Sequence, residues 1–175
     1  MVKKPSLEAV TNVTIIVFCL VVGFVLIRTH FFPPQPPAAQ VAIRKGDRVE
    51  ILKRTVPSGS SRALLLALSP QCGFCSQSIP FYRRLVAERV RGRPRHLSLV
   101  GVVANAAQIP EEKQLLAAAG VELDHWAAID FTAARLPGTP TLVLLDDSGR
   151  VDEVWVGKLD GPAEERVVER LAGSI

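Results

Sequence analysis

Cysteine is scarce in this chain, with three among 175 residues. That is too few for a scaffold held together by disulfides. Charge of one sign is lacking too. From residue 41 onward 18 basic residues stand against 16 acidic ones, a net +2. Aromatics make up 6% of the chain. No basic stripe interleaved with aromatics occurs, which argues against a nucleic-acid partner. Internal repeats are absent. The length suits one ordinary domain with an appendage, and 48% apolar residues can fill its core.

Charge is missing altogether from Ala9 to Ile27. Nineteen residues at 1.5 Å rise span roughly 28 Å, close to the thickness of a bilayer's hydrocarbon layer. The stretch predicts a transmembrane anchor over residues 9–29, after a short cytoplasmic N-terminus, 1–8. Phe31 and Phe32 suit the membrane interface. Pro33, Pro34, Pro36 and Pro37 make residues 30–44 an extended, stiff linker. A cleaved signal peptide is the alternative. However, Arg28 to Phe32 is a poor cleavage site, and Ala38, Ala39 and Ala42 lie far downstream. Lys3 and Lys4 place the N-terminus in the cytoplasm, so residues 45–175 are expected outside the cytoplasmic membrane, where disulfides persist. Cys19 falls inside the span and reads as a packing residue.

Beyond the linker, short apolar runs alternate with helical stretches. "RVEIL" (48–52) is expected as a leading strand. "ALLLAL" (63–68) and "HLSLVGVVA" (96–104) are continuous apolar runs, as central strands require. Between them a helix should run from the cysteines to about Val90, with Ile79, Tyr82, Leu85, Val86 and Val90 on its apolar face. "IPEEKQLLAAAG" (109–120) predicts a helix with Pro110 at its start and Gly120 at its end. "ELDHWAAI" (122–129) is a short strand. "TLVLL" (141–145) and "VDEVWVG" (151–157) form a hairpin through "DDSG". A last helix begins near Gly161-Pro162 and packs through Val167, Val168 and Leu171. The order implies an α/β fold with a mixed sheet flanked by helices.

Cys72 and Cys75 are separated by two residues at a predicted helix start. The first sulfur would sit among unsatisfied backbone N–H groups, which favour thiolate, so Cys72 is the expected nucleophile. Cys75, about one turn on, can attack a mixed disulfide formed by Cys72. Gly73 is expected to let the chain turn tightly into the helix, and Phe74 to offer apolar docking surface. A structural disulfide is a weaker reading, because so short a loop constrains little chain entropy. A copper or zinc metallochaperone is the other rival. It needs more ligands, and His96 and His125 have no ligand-like spacing to the pair. The six arginines from Arg83 to Arg95 read as a solvated helix face.

Cys72-Gly73-Phe74-Cys75 after an apolar strand, Pro80 five residues past Cys75, and "GTPTLVLLDDSGRV" (138–151) resemble the thioredoxin superfamily. The resemblance covers roughly residues 45–173. Residues 105–130 look like an inserted strand–helix segment, and with the anchor they most resemble the TlpA-like, membrane-tethered branch. The resemblance implies a thioredoxin-like fold and a Cys72–Cys75 disulfide in the oxidised form. It implies that Pro80 bends the active-site helix and that Pro140 is the cis-proline. Thr139 and Pro140 would then bind substrate backbone beside the sulfurs and leave no room for metal. It further implies thiol–disulfide exchange without an organic cofactor. Electrons would come from a thiol donor, and the substrates would be extracytoplasmic proteins such as an apocytochrome. Relatives carry acids where this chain has Leu66 and Ser78, and thioredoxins carry Trp where it has Gln71. Ser69-Pro70-Gln71-Cys72 also resembles the peroxiredoxin Thr/Ser-x-x-Cys, but Leu65 stands where that pattern has proline.

Overall fold

Ala63 to Leu68 have no polar side chain to turn toward water, and the run is buried from end to end. The exposure of each of these six residues is 1% or less. It forms β1 (Arg62–Ala67), the middle strand of a five-stranded sheet ordered β3-β2-β1-β4-β5. β2 (Leu97–Val103) and β3 (His125–Ala128) lie parallel on one side. β4 (Thr141–Leu145) and β5 (Val151–Val156) lie antiparallel on the other. Strand pleating divides the run between two cores. Leu64, Leu66 and Leu68 join Phe81, Tyr82, Leu85, Leu116, Val167 and Leu171 on one face. Ala63, Leu65 and Ala67 join Leu52, Val102, Ile129 and Leu136 on the other. Each fully buried leucine contributes about 1.5–3 kcal/mol relative to an exposed one.

The computed structural model describes residues 16–18, 20, 22, 42–57, 59–60, 62–90 and 97–172. The chain divides into two compact units, Met1–Gln40 and Val41–Ile175. In the first, residues 16–18, 20 and 22 are helical. Most of the expected anchor and linker, with Cys19, lies outside the described residues. Among the described residues no helix is long and apolar enough to cross a membrane.

In the second unit α3 (Ile79–Val90), α4 (Ile109–Ala118) and α5 (Gly161–Ala172) supply most of the helical residues of the first core. The segment after β2 is a 3-10 turn (Ala106–Gln108), then α4, then β3 at the sheet edge. Two sequence expectations need correction. The leading strand is reduced to a single bridge, Arg48 against Arg150, after which the chain turns into α1 (Glu50–Lys53). Val49 and Leu52 are both buried, and their spacing of three places them on one side of a helical turn but on opposite faces of a strand. Val90 is 76% exposed, whereas Phe81 is buried. The buried positions Ser78, Phe81, Tyr82 and Leu85 follow one helical stripe, which continues to Arg89 rather than Val90. Arg89 is held there by an ion pair to Asp124. His96 and the arginines at 91, 93 and 95 lie outside the described residues.

Gly101 of β2 stands opposite Trp126 of β3, and a Cβ there would meet the indole ring at 2.6 Å. Gly101→Val is expected to destabilise the protein by about 1–3 kcal/mol, since added bulk must displace a ring packed on the core. Urea denaturation checks this, and an unchanged midpoint would show that the indole swings aside freely.

Candidate active site

β1 ends under a tight turn. Leu68 N–H still reaches Val102 O at 2.9 Å, and the N–H of Cys72 then closes back on Ser69 O at 3.0 Å. Cys72 is extended, with φ −87 and ψ 104, and caps α2 (Gly73–Gln77). The backbone N–H of Cys75 donates to Cys72 Sγ at 3.3 Å. Gly73 does not make the turn, contrary to expectation. Its φ is not left-handed, and a Cβ there would meet nothing, so the extended Cys72 provides the change of direction.

The expected single helix is also interrupted. α2 stops at Ser78, whose N–H is shared between Phe74 O and Cys75 O and whose hydroxyl donates to Phe74 O at 2.8 Å. Pro80 then enters α3 without an N–H to offer Ser76. The break lets α2 carry the thiols at its own angle while α3 buries Phe81, Tyr82 and Leu85.

Both cysteines are free thiols, Cys72 half-buried and Cys75 buried. Burial alone would raise Cys72. Hydrogen bonds from the Cys75 and Thr139 side chains and from the N–H groups of Cys75 and Phe74 outweigh it and hold the thiol below its ordinary value. Burial pushes Cys75 up to about 12, helped by its hydrogen bond to Cys72. With α2 so short, the deeper burial of Cys75 and these direct bonds, rather than a long helix dipole, differentiate the two sulfurs.

The chain before β4 faces the pair. Cys72 Sγ donates to Thr139 O at 3.3 Å, and the Thr139–Pro140 peptide is cis. The carbonyl of Pro140 accepts from Gly157 N at 2.7 Å, which ties this loop to the end of β5. Cys72, Cys75 and Thr139 are thus in direct contact, with Pro140 following. Phe74 is 59% exposed and Val156, opposite Thr141, is 57% exposed, so apolar surface is open near the loop. Among the described residues no group of three His, Cys, Asp or Glu side chains could hold a metal ion.

Sequence reasoning missed a buried acid on α4. Glu112 is 3% exposed and its Oε2 has no hydrogen-bond partner among the described residues. The same holds for the hydroxyl of Tyr82 and for Gln108 Oε1. Glu111 and Glu112 both stand in the first turn of α4, an ordinary place for an acid. The four-residue spacing from Glu112 to the buried Leu116 was the available signal that one of them points inward.

No protein-family model matches the chain. No curated protein matches it either. Solved structures do. A thiol-disulfide isomerase from Corynebacterium glutamicum aligns with a TM-score of 0.51 at 16% identity, covering 66% of this chain and 83% of that one. A Chlorobium tepidum protein assigned as the thiol:disulfide interchange protein DsbE gives 0.51 at 23%, covering 64% and 77%. StoA from Bacillus subtilis gives 0.50 at 14%, covering 65% and 84%. At such identities the likeness is one of fold: the unit is thioredoxin-like, with the architecture of the thiol-disulfide oxidoreductases.

Proposed function

We propose that the chain is a membrane-tethered thiol–disulfide oxidoreductase that exchanges disulfides with extracytoplasmic proteins through Cys72 and Cys75. The observation that carries this reading is the asymmetry of the pair. One half-buried sulfur accepts the N–H of Cys75 and is held below the ordinary thiol value, and its buried neighbour is pushed up to about 12. A structural staple needs no such difference. The Cys72 thiolate attacks one sulfur of a substrate disulfide, and the other sulfur leaves as thiolate and takes up a proton. Cys75 then loses its proton and attacks Cys72. The Cys72–Cys75 disulfide forms, the mixed disulfide breaks, and the second substrate sulfur leaves as a thiol. Two electrons pass to the substrate, and a thiol donor restores the dithiol.

Phe74 and the Thr139-Pro140 loop supply the docking surface for the substrate chain. The tether rests on the uncharged stretch Ala9 to Ile27 and the compartment on Lys3 and Lys4. The test uses the full-length chain in detergent. Reduced protein is expected to cleave the disulfides of insulin or a model peptide, and the oxidised protein to be regenerated by a dithiol. An enzyme reporter fused to the C-terminus should be active only outside the cytoplasm. No exchange above the uncatalysed rate would overturn the activity, and a cytoplasmic reporter signal would overturn the tethered topology.

A further inference from the structure

The two segments that carry and face the thiols, residues 69–78 and 136–145, contain no charged side chain. A cation reaches them from elsewhere in the chain. β5 ends at Val156, the N–H of Gly157 is tied to the carbonyl of Pro140 at 2.7 Å, and Lys158 follows directly. Lys158 Nζ donates to Oε1 of Gln77 on α2 at 3.1 Å. Gln77 stands three residues after Phe74 in that short helix, and both are exposed. Residues three apart are neighbours on a helix surface, so the ammonium is held beside the face that presents Phe74. The Lys158 side chain thus joins the strand end next to the cis-proline loop to the helix that carries both sulfurs.

The contact with Gln77 leaves the charge uncompensated. A neutral amide oxygen uses one of the three ammonium donors and leaves two. Among the described residues Lys158 has no carboxylate partner. The acid nearest to it in sequence, Asp160, serves the start of α5, where its Oδ1 accepts from Ala163 N and its carbonyl from Glu164 N, both at 2.9 Å. Arg135, just ahead of the cis-proline segment, is paired with Asp47 at 3.1 Å. A lysine needed for solubility alone gains nothing from a partner on another element, and holding it there costs rotamer freedom. The surroundings make the charge count. Phe74 and Val156 are 59% and 57% exposed, and a substrate chain lying over them excludes water, which strengthens any charge interaction at their edge.

We infer that Lys158 selects among substrates of the thiol site, favouring polypeptide segments that carry a carboxylate beside the reacting cysteine. The substrate chain lies against Thr139, Pro140 and Phe74, and its Asp or Glu side chain takes the two remaining donors of Lys158 while Gln77 holds the ammonium in place. A basic residue in the same position meets like charge. Lys158 acts on substrate binding and takes no part in the transfer of electrons.

Such selection presupposes the exchange activity proposed above and names its substrate class, and the test separates the two. Three quenched peptide disulfides, identical except for acidic, neutral or basic residues flanking the cysteine, are reduced by the full-length chain in detergent. At low salt, kcat/KM for the acidic peptide is expected to exceed that for the basic one about 3- to 10-fold, an attraction and a repulsion each of the size usual for exposed charges. The difference should lie in KM, and it should shrink toward unity in about 0.5 M salt, where exposed charges are screened within a few ångströms.

Lys158→Gln should bring the ratio of acidic to basic peptide close to unity, and Lys158→Glu should invert it. Each variant is read as a ratio of two peptides, so a smaller folded fraction cancels. Lys113→Gln removes the same charge from an exposed position on α4 and should keep the wild-type ratio. Equal kcat/KM for acidic and basic peptides with active wild type, an unchanged ratio in both Lys158 variants, or an equal loss in Lys113→Gln would overturn the selection and leave the exchange activity standing. Failure of wild type to reduce any of the three peptides would overturn both.

Discussion

Cys72→Ser is expected to lower the rate of disulfide exchange by ~10³-fold or more, to near background, since a serine hydroxyl is not ionised at neutral pH and cannot replace a thiolate as attacking sulfur. Cys75→Ser should behave differently. Its first step remains, because the backbone N–H of residue 75, which donates to Cys72 Sγ, is kept when the side chain is changed. Without Cys75 no second thiol among the described residues can resolve the adduct, so a mixed disulfide through Cys72 should accumulate. Non-reducing gels and intact-mass measurement distinguish these results, with one substrate fragment attached to Cys75→Ser and none to Cys72→Ser. The opposite pattern, with Cys72→Ser forming the adduct, would reverse the assigned roles.

The fold was legible wherever a strand was apolar throughout or a turn carried its own chemistry. Ala63–Leu68 can only be a central strand or a buried helix, and turn residues on both sides with a length of six decide for the strand. The β4–β5 hairpin was legible because Asp146 serves a turn directly, accepting from the N–H groups of Ser148 and Arg150 at 2.9 Å. Places where two periodicities compete were not legible. "RVEIL" reads as a strand by composition, yet Val49 and Leu52 are buried together only on a helical turn. Ile79 to Val90 fixes a helix but not its rotation, and Phe81 replaced Val90 on the buried side. Cys72, Cys75, Thr139 and Pro140 stood out in the sequence because their spacing and neighbours are unusual. Glu112 did not. An acid in the first turn of a helix has an ordinary reason to be there, and only the packing of α4 against the core shows that this one has no water around it.

The largest difference in reactivity should be between the two thiols themselves. Treated with iodoacetamide at pH 7, the reduced full-length chain is expected to take one adduct in the thioredoxin-like unit, at Cys72. Cys75, pushed up to about 12 from an ordinary 9.0, should react ~10³-fold more slowly than an ordinary thiol, since only thiolate attacks. Part of that elevation comes from Cys72, through a hydrogen bond and through its charge, but burial is the largest cause. Cys72→Ser should therefore leave Cys75 slow, with a rate that keeps rising about tenfold per pH unit beyond the point where an ordinary thiol levels off. Comparable labelling of both sulfurs at pH 7 would remove the asymmetry on which the proposed chemistry depends. Stability supplies an independent measurement with a definite sign. A folded chain that keeps the Cys75 proton up to about 12, while the unfolded chain releases it near 9.0, binds more protons in that window. Its stability must then fall as pH rises through the window. The urea midpoint should drop between pH 8 and pH 10.5, and Cys75→Ser, which has no such proton to keep, should show a smaller drop.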